Sequence, residues 1–251
     1  MEYNDELFTK LQQGWDEPKE SEVNWNCVRK NISNLIANGI QPMLDDLLGI
    51  NHGKIMPTEK CVRILAPDNF IRVVSLEHLR VPTVKDYLET LDNTQLIVDY
   101  KNEYGHQELS TEGYMEAIAL FGYQLIREDT SMKSLALHLV CHEMMHTIAS
   151  ERAVESLRSE DLMGDEAVNE FFARLATQYL IASGVVDKKL CGITTTEEMK
   201  SMLTLNHDDW GAYGKRIKTS CDICKVVNSS NKLSALKALA RFYFLGEERP
   251  K

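Results

Sequence analysis

The segment His142-Glu143-Met144-Met145-His146 places two imidazoles four residues apart, with a carboxylate directly after the first. On an α-helix, residues four apart lie on one face with Cβ atoms roughly 5–6 Å apart, so both rings can reach one ion. Imidazole nitrogens bind Zn²⁺ at about 2.0–2.1 Å. Glu143 lies about 100° further round the helix, where it flanks the ion and can take a proton from water. On a helix, this pentapeptide predicts a hydrolytic zinc site.

A catalytic zinc site has three protein ligands and one open position, so another element must supply the third ligand. Glu166 lies near the start of the next predicted helix, after a polar stretch, residues 150–164, that is long enough to reverse the chain. Glu170 follows one turn later. If Glu166 is the ligand, Glu170 can accept the outer N–H of a ligand histidine. If Glu170 is the ligand, Arg174 competes for its carboxylate. We predict Glu166, with Glu170 as the alternative.

Competing interpretations exist for these residues and their neighbours. Two histidines and a glutamate can lie on a helix without binding metal, and acidic residues at a helix start are favoured by the helix dipole. His138, one turn before His142, is predicted to have a core or capping role. Cys141 is predicted to pack inward as a small apolar side chain. The lone Cys221-Asp222-Ile223-Cys224 pair has no second pair of ligands nearby and is interpreted as incidental.

The elements that must position the site are predicted from apolar periodicity. Residues 131–149 form the helix that carries the two histidines. Residues 165–182 form the next helix, with Asp165 as its N-cap and Ser183-Gly184 as its stop. Further helices are predicted at residues 83–91, 196–203 and 234–244, and over residues 114–126.

The first half of the chain contains both helical and strand-like patterns of apolar residues. Apolar residues between 26 and 48 recur at helical spacing, and Gly39 and Pro42 are predicted to divide them into two helices. Residues 61–76 are predicted as two strands joined by a turn. Residues 95–100 are a further strand candidate. We divide the chain into residues 1–90, an N-terminal arm and α/β region of unassigned role, and residues 91–251, the catalytic domain.

Composition limits the class of protein. The 251 residues are 43% hydrophobic and 26% charged, which is typical of a globular chain with a sizeable core. A net charge of -10 disfavours nucleic acid and anionic membranes as partners. No apolar run reaches the roughly 20 residues of a membrane helix. The N-terminal residues lack the pattern of a Sec signal peptide. We therefore expect a soluble protein, either cytoplasmic or delivered to another cell without such a signal, with reduced cysteines. The sequence does not indicate an oligomeric state.

The two segments together resemble the zincin metallopeptidases, and more narrowly the gluzincin group, whose third ligand is a glutamate. In several gluzincin families that glutamate is followed one turn later by an acidic residue, then by an aromatic and a small residue. Four positions match this pattern: Glu166, Glu170, Phe172 and Ala173. The resemblance covers residues 131–175. It implies an α+β zincin-like core, in which a small twisted sheet packs on the active-site helix and the C-terminal part is mainly helical.

The resemblance also implies substrate-binding features. Zincins bind an extended substrate along an edge strand, for which residues 95–100 are the candidate, although an ordinary core strand explains them equally well. A downstream histidine or tyrosine stabilises the oxyanion, and His207 and Tyr213 are candidates that a surface loop also explains.

The sequence therefore leads to one expected function: a zinc metallopeptidase that hydrolyses a protein or peptide substrate, with ligands His142, His146 and Glu166 and with Glu143 as general base and acid. Two alternatives stay open. One is a zincin-like binding module without catalysis, against which the intact Glu143 argues. The other is a zinc hydrolase that acts on a non-peptide bond.

Overall fold

The computed structural model describes eight parts of the chain: residues 24–49, 58–65, 117–120, 123–127, 136–161, 164–187, 191 and 220–251. These parts are mostly helical and include a small sheet of three strands, which is compatible with the expected α+β class. None of the described helices combines the length and the apolar character that crossing a membrane requires.

The elements follow one another in a fixed order. They are α1 (Trp25–Leu35), a π-helical segment (Ile36–Ile40), α2 (Gln41–Leu48), a 3-10 turn (Glu59–Cys61), β1 (Val62–Leu65), β2 (Ala117–Leu120), β3 (Tyr123–Arg127), α3 (Ala136–Ile148), α4 (Glu151–Arg158), α5 (Gly164–Ser183), α6 (Cys221–Asn228) and α7 (Lys232–Leu245). Helices α3 and α5 pack against each other, and both strands β2 and β3 contact α3. The sheet therefore lies against the predicted active-site helix.

The sheet has the strand order β1-β3-β2, with β1 parallel and β2 antiparallel to β3. The helix predicted over residues 114–126 is therefore wrong, because this stretch contains β2 and β3. Gly122, a poor helix former, lies between two short apolar runs, and short apolar runs do not distinguish helix from strand. The strand predicted at the start of residues 61–76 is confirmed by β1.

The predicted pair of N-terminal helices is present, but a π-helical segment joins them instead of a break. Pro42 lies in the first turn of α2, where a missing N–H costs nothing. Gly39 lies against α5, where an added Cβ would be 2.9 Å from the carbonyl oxygen of Ala176. The glycine therefore permits close contact between the π-helical segment and α5. Asn24 caps α1 by accepting from two backbone N–H groups.

Helix α5 confirms the predicted helix over residues 165–182, and Gly184, with a φ of 67°, ends it as expected. Asp165 is not its N-cap, because α5 already begins at Gly164. The Asp165 carboxylate is buried and accepts two hydrogen bonds from Arg158, at 2.8 and 2.7 Å. The polar stretch 150–164 contains the short helix α4, whose last turn supplies this arginine.

Helix α5 runs through the middle of the core, and nearly every side chain from Ala167 to Ile181 is buried. The N-terminal helices share one apolar cluster with α3, α5 and α7. Within it, the Phe172 ring stacks on Tyr243 at 5.6 Å and lies 4.9 Å from Phe244. Polar residues on α5 are therefore removed from water and depend on partners inside the protein, which the amide of Gln178 lacks among the described residues.

Several predictions lie outside the described residues. They are the helices at residues 83–91 and 196–203, the second half of residues 61–76, the strand candidate at residues 95–100, both oxyanion candidates (His207 and Tyr213) and the boundary at residue 90. These stay predictions.

The helix predicted at residues 234–244 is confirmed as α7, and its N-cap is Asn231.

Candidate metal centre

Helices α3 and α5 bring His142, His146 and Glu166 together at one point. The Nε2 atoms of the two histidines are 3.2 Å apart. One Glu166 oxygen lies 3.3 Å from Nε2 of His142, and the other lies 3.4 Å from Nε2 of His146. Three potential ligand atoms therefore converge, and this group could hold a metal ion.

The spacing of these atoms suits a small tetrahedral ion. With metal–ligand distances of about 2.0–2.1 Å, two ligands of a tetrahedral site lie about 3.4 Å apart. The observed separations are 3.2 Å between the two Nε2 atoms and 3.3 and 3.4 Å from each Nε2 to a different oxygen of Glu166. The side chains therefore need little rearrangement to ligate such an ion.

Glu170 lies behind His142, as the sequence predicted for the case in which Glu166 is the ligand. Its Oε2 atom is 2.8 Å from Nδ1 of His142. This contact favours a proton on Nδ1, so that Nε2 is the atom available to bind an ion. Glu170 is not in the convergent group and takes the supporting position.

A buried polar layer surrounds the Glu170 carboxylate. Arg174 Nε donates to it at 2.6 Å, and Nε2 of His138 lies 3.1 Å from both of its oxygens. Nδ1 of His138 lies 3.0 Å from the hydroxyl of Thr177, which itself donates to the carbonyl oxygen of Ala173 at 2.8 Å. The layer therefore compensates the charge of Glu170 entirely within the protein. His138 has a supporting role here beyond simple core packing.

Glu143 lies beside the convergent atoms without joining them. It is buried, and burial raises the pKa of its carboxyl group, while His142 and His146 oppose that rise. The backbone of Ala119, on β2, also opposes the rise of this pKa. The general-base candidate is therefore held between the active-site helix and a strand of the sheet.

The electrostatics of the group favour positive charge at its centre. Burial would lower the pKa of His142, but hydrogen bonds to Glu166 and Glu170 outweigh burial and raise that pKa to about 10. Burial would raise the pKa of Glu166, but the two histidines outweigh it and hold that pKa well below its usual range. Carboxylates that stabilise a protonated imidazole also stabilise a cation placed between the same atoms.

The backbone of α3 is also held from outside the helix. Asn169 on α5 donates to the carbonyl oxygen of His142 at 3.1 Å and accepts from the hydroxyl of Tyr243 at 3.0 Å. On the other side, Thr147 donates to the carbonyl oxygen of Glu143 at 3.1 Å and accepts from Gln124 on β3 at 2.9 Å. The backbone carbonyl groups of His142 and Glu143 are therefore held by hydrogen bonds that extend to α5, α7 and β3.

Several of these supporting residues carry no recognisable signal in the sequence. Asn169 and Tyr243 are far apart in the sequence, and neither belongs to a recognisable spacing. Asp165 was predicted as a cap, yet its carboxylate lies 4.0 Å from Nδ1 of His146 and holds Arg158. Among these supporting residues, only Asn169 gives a signal in the sequence. It is a polar residue that lies next to apolar positions and between the two candidate glutamates.

Of the remaining candidates, Cys141 packs inward as predicted, and His207 and Tyr213 lie outside the described residues. Cys141 is fully buried, and its thiol points to the carbonyl oxygen of Ala173 at 3.5 Å, while burial raises its pKa.

Comparison with known protein families, curated protein sequences and solved structures finds no match.

Proposed function

We propose that this protein is a zinc-dependent metallopeptidase that hydrolyses peptide bonds of a protein or peptide substrate. The observation that carries the proposal is the convergence of two imidazoles and one carboxylate at 3.2–3.4 Å from one another. The resemblance to the zincins, which rests on residues 131–175, points the same way. Zinc is the proposed ion because two nitrogen ligands and one carboxylate are a common set for catalytic zinc.

The proposed chemistry requires a free carboxylate beside the ion. Zn²⁺ in such a site acts as a Lewis acid that lowers the pKa of water to about 7 and polarises a carbonyl group. Glu143 takes a proton from the attacking water and returns it to the departing amine. Burial raises the pKa of Glu143, which makes it easier for this carboxylate to accept a proton from water.

The supporting residues hold the ligands in place during this reaction. Glu170 orients the ring of His142 through Nδ1, and Arg174 and His138 hold Glu170 in turn. Asn169 restrains the backbone of α3 at the first ligand. A site held within such a network keeps its donors in place and loses little energy to rearrangement.

The sheet offers a route for an extended substrate. Strand β2 lies at the edge of the described sheet, pairs with β3 and contacts α3. Because the backbone of Ala119 influences the pKa of Glu143, a peptide paired along this strand would pass the general base. We therefore propose β2 as a strand that binds substrate, beside the candidate at residues 95–100.

Metal analysis and peptide cleavage test the proposal together. Purified full-length protein is analysed for metal content and incubated with a broad peptide library, beside the Glu143→Gln variant. Glu155→Gln is the matched control, because this glutamate is exposed on α4. We expect about one equivalent of zinc in all three proteins. We also expect Glu143→Gln to cleave about 10²–10⁴-fold more slowly, since general acid–base catalysis contributes that factor.

The alternatives give different results. Cleavage at an undiminished rate in Glu143→Gln would remove the proposed role of that residue. One equivalent of zinc with no cleavage of any peptide would favour the binding module. Hydrolysis of esters or other small substrates, without peptide cleavage, would favour the non-peptide hydrolase.

A further inference from the structure

Two cysteines that are distant in sequence meet at the N-terminal helix. The Sγ atoms of Cys27, on α1, and Cys191 lie 3.2 Å apart, although 164 positions separate the residues in the chain. A disulfide has an S–S distance of about 2.05 Å, so roughly 1 Å of further approach would allow a bond. Neither residue contacts the metal centre or takes part in the proposed chemistry.

Local contacts hold both thiols where they are. Cys27 lies in the first turn of α1, and its N–H donates to the side chain of Asn24 at 3.2 Å. Asn31, one turn later, donates to the carbonyl oxygen of Cys27 at 2.9 Å and to its sulfur at 3.5 Å. Cys191 is buried, and its N–H donates to the carbonyl oxygen of Asp187 at 3.0 Å. The close approach therefore joins two anchored positions.

We propose that Cys27 and Cys191 are a redox-sensitive site that forms a reversible disulfide and joins α1 to the chain that follows α5. The other cysteines are placed differently. Cys141 is fully buried against a backbone carbonyl, and Cys61 contacts the hydroxyl of Thr58. A metal held by the two thiols is not favoured, because they belong to no group of three potential ligands among the described residues.

The oxidation is a thiol–disulfide exchange with a small-molecule disulfide such as oxidised glutathione. Cys27 is only partly buried, so it meets the oxidant first. Its thiolate attacks one sulfur of the oxidant and forms a mixed disulfide, and one glutathione leaves and takes up a proton. Cys191 then loses its proton to solvent and attacks the Cys27 sulfur, which releases the second glutathione. Two electrons pass from the two cysteines to the oxidant.

The order of attack agrees with the surroundings of Cys191. Burial, together with the neighbouring Cys27, raises the pKa of Cys191 to about 12. A thiolate is therefore hard to form there while Cys27 is a free thiol. Conversion of Cys27 to the mixed disulfide removes the contribution of its thiol, and the second step becomes easier.

The disulfide would close a long loop and so restrict the unfolded chain. Cross-linking long loops stabilises proteins by reducing the conformational freedom of the unfolded state. We expect the oxidised protein to melt on the order of 5–15 °C higher than the reduced protein, since typical disulfides give that range for a chain of this size. A reducing thiol should reverse the shift.

Peptide mapping tests the proposal on the full-length protein. The protein is equilibrated at defined ratios of reduced to oxidised glutathione, quenched with acid, alkylated and digested. We expect a Cys27–Cys191 cross-linked peptide whose yield rises with the oxidised fraction. Cys27→Ser and Cys191→Ser should lack this peptide and the shift in melting temperature. Cys221→Ser, at an exposed position, should keep both.

Three outcomes would overturn the proposal. The first is full alkylation of both cysteines at an oxidising ratio. The second is a cross-link to a different cysteine in their place. The third is an equal melting shift on oxidation in Cys27→Ser, which would show that another bond causes it. None of these readouts depends on peptide cleavage, so the proposal stands or fails independently of the enzymatic function.

Discussion

The metal centre has two layers that differ in their contact with water. The ligand layer contains His142, His146 and Glu166, and the side chains of His146 and Glu166 keep 17% and 15% of their surface exposed. The inner layer contains His138, Glu170, Arg174 and Thr177, and its ionisable side chains are at most 9% exposed. Two members of the first layer are open to water, whereas the second layer, like His142, is almost entirely enclosed by protein.

This difference has an energetic consequence. A ligand at the edge of the site can be removed without leaving a charge in the dry interior, because water can reach its neighbours. A charge in the inner layer loses its only compensation when a partner is removed, because buried charges depend on protein partners. Ligand substitutions should therefore affect metal binding above all, and inner-layer substitutions should also affect folding.

The largest expected effect is on metal affinity in Glu166→Ala. Four-ligand zinc sites bind with about 10–16 kcal/mol, or about 2.5–4 kcal/mol per ligand, so loss of one ligand should weaken zinc binding about 10²–10³-fold. Competition with a chromophoric chelator measures the change, and Glu155→Gln is the control. Unchanged affinity in Glu166→Ala would contradict the assignment of the third ligand and would direct attention to Glu170.

Arg174→Met should show the opposite pattern, with folding affected more than metal affinity. Removal of one partner of a buried ion pair costs about 3–5 kcal/mol, because the other charge stays buried. Methionine keeps the length of the apolar stem, so the loss of charge dominates. Urea denaturation in the presence of a chelator measures the free energy of unfolding without metal. A loss below about 1 kcal/mol, the range of exposed ion pairs, would show that water compensates Glu170.

Glu170→Gln should weaken zinc binding about 10–100-fold, the usual effect of removing a partner behind a ligand histidine. The amide still reaches Nδ1 of His142 but carries no charge to stabilise the ligand ring. The same competition titration compares this variant with Glu166→Ala. Equal losses of zinc affinity in Glu170→Gln and Glu166→Ala would contradict the assignment of Glu166 as the ligand and Glu170 as its supporting residue.

The smallest expected effect is that of Tyr243→Phe. It removes the hydroxyl that donates to Asn169 and leaves the Asn169 oxygen buried without that donor. The free energy of unfolding should fall by about 1–3 kcal/mol, and zinc affinity should change less than in Glu170→Gln. Urea denaturation and the chelator titration measure both quantities. A loss of zinc affinity as large as that of Glu166→Ala would place Asn169 among the determinants of the metal site.

Local spacing predicted well that the two histidines converge. His142 and His146 are four residues apart, and helix geometry alone brings such residues to one face. The helical periods of α3 and α5 were long enough to be recognised, and Gly184 marked the end of α5. Short segments were less informative. The residues of β2 and β3 were predicted as one helix, because two short segments with few polar residues suit either structure.

The inner layer and the cysteine pair could not be predicted in the same way. His138 and Glu170 are 32 positions apart, and Cys27 and Cys191 are 164 positions apart. Neither pair has a characteristic spacing, because its contact depends on how the helices pack. Asp165 shows the same limit: its type suggested a cap, but the position of α4 made it the partner of Arg158.

The sequence by itself determined the chemistry at one helical turn: two imidazoles on one face, a carboxylate beside them and a glutamate in the next helix. Helix geometry is local, so these relations follow from the order of the residues. Only the tertiary structure decided that Glu166 meets the histidines while Glu170 supports them from behind. That choice depends on how α5 packs across α3, and many distant apolar residues, Gly39 and Phe172 among them, together set that packing.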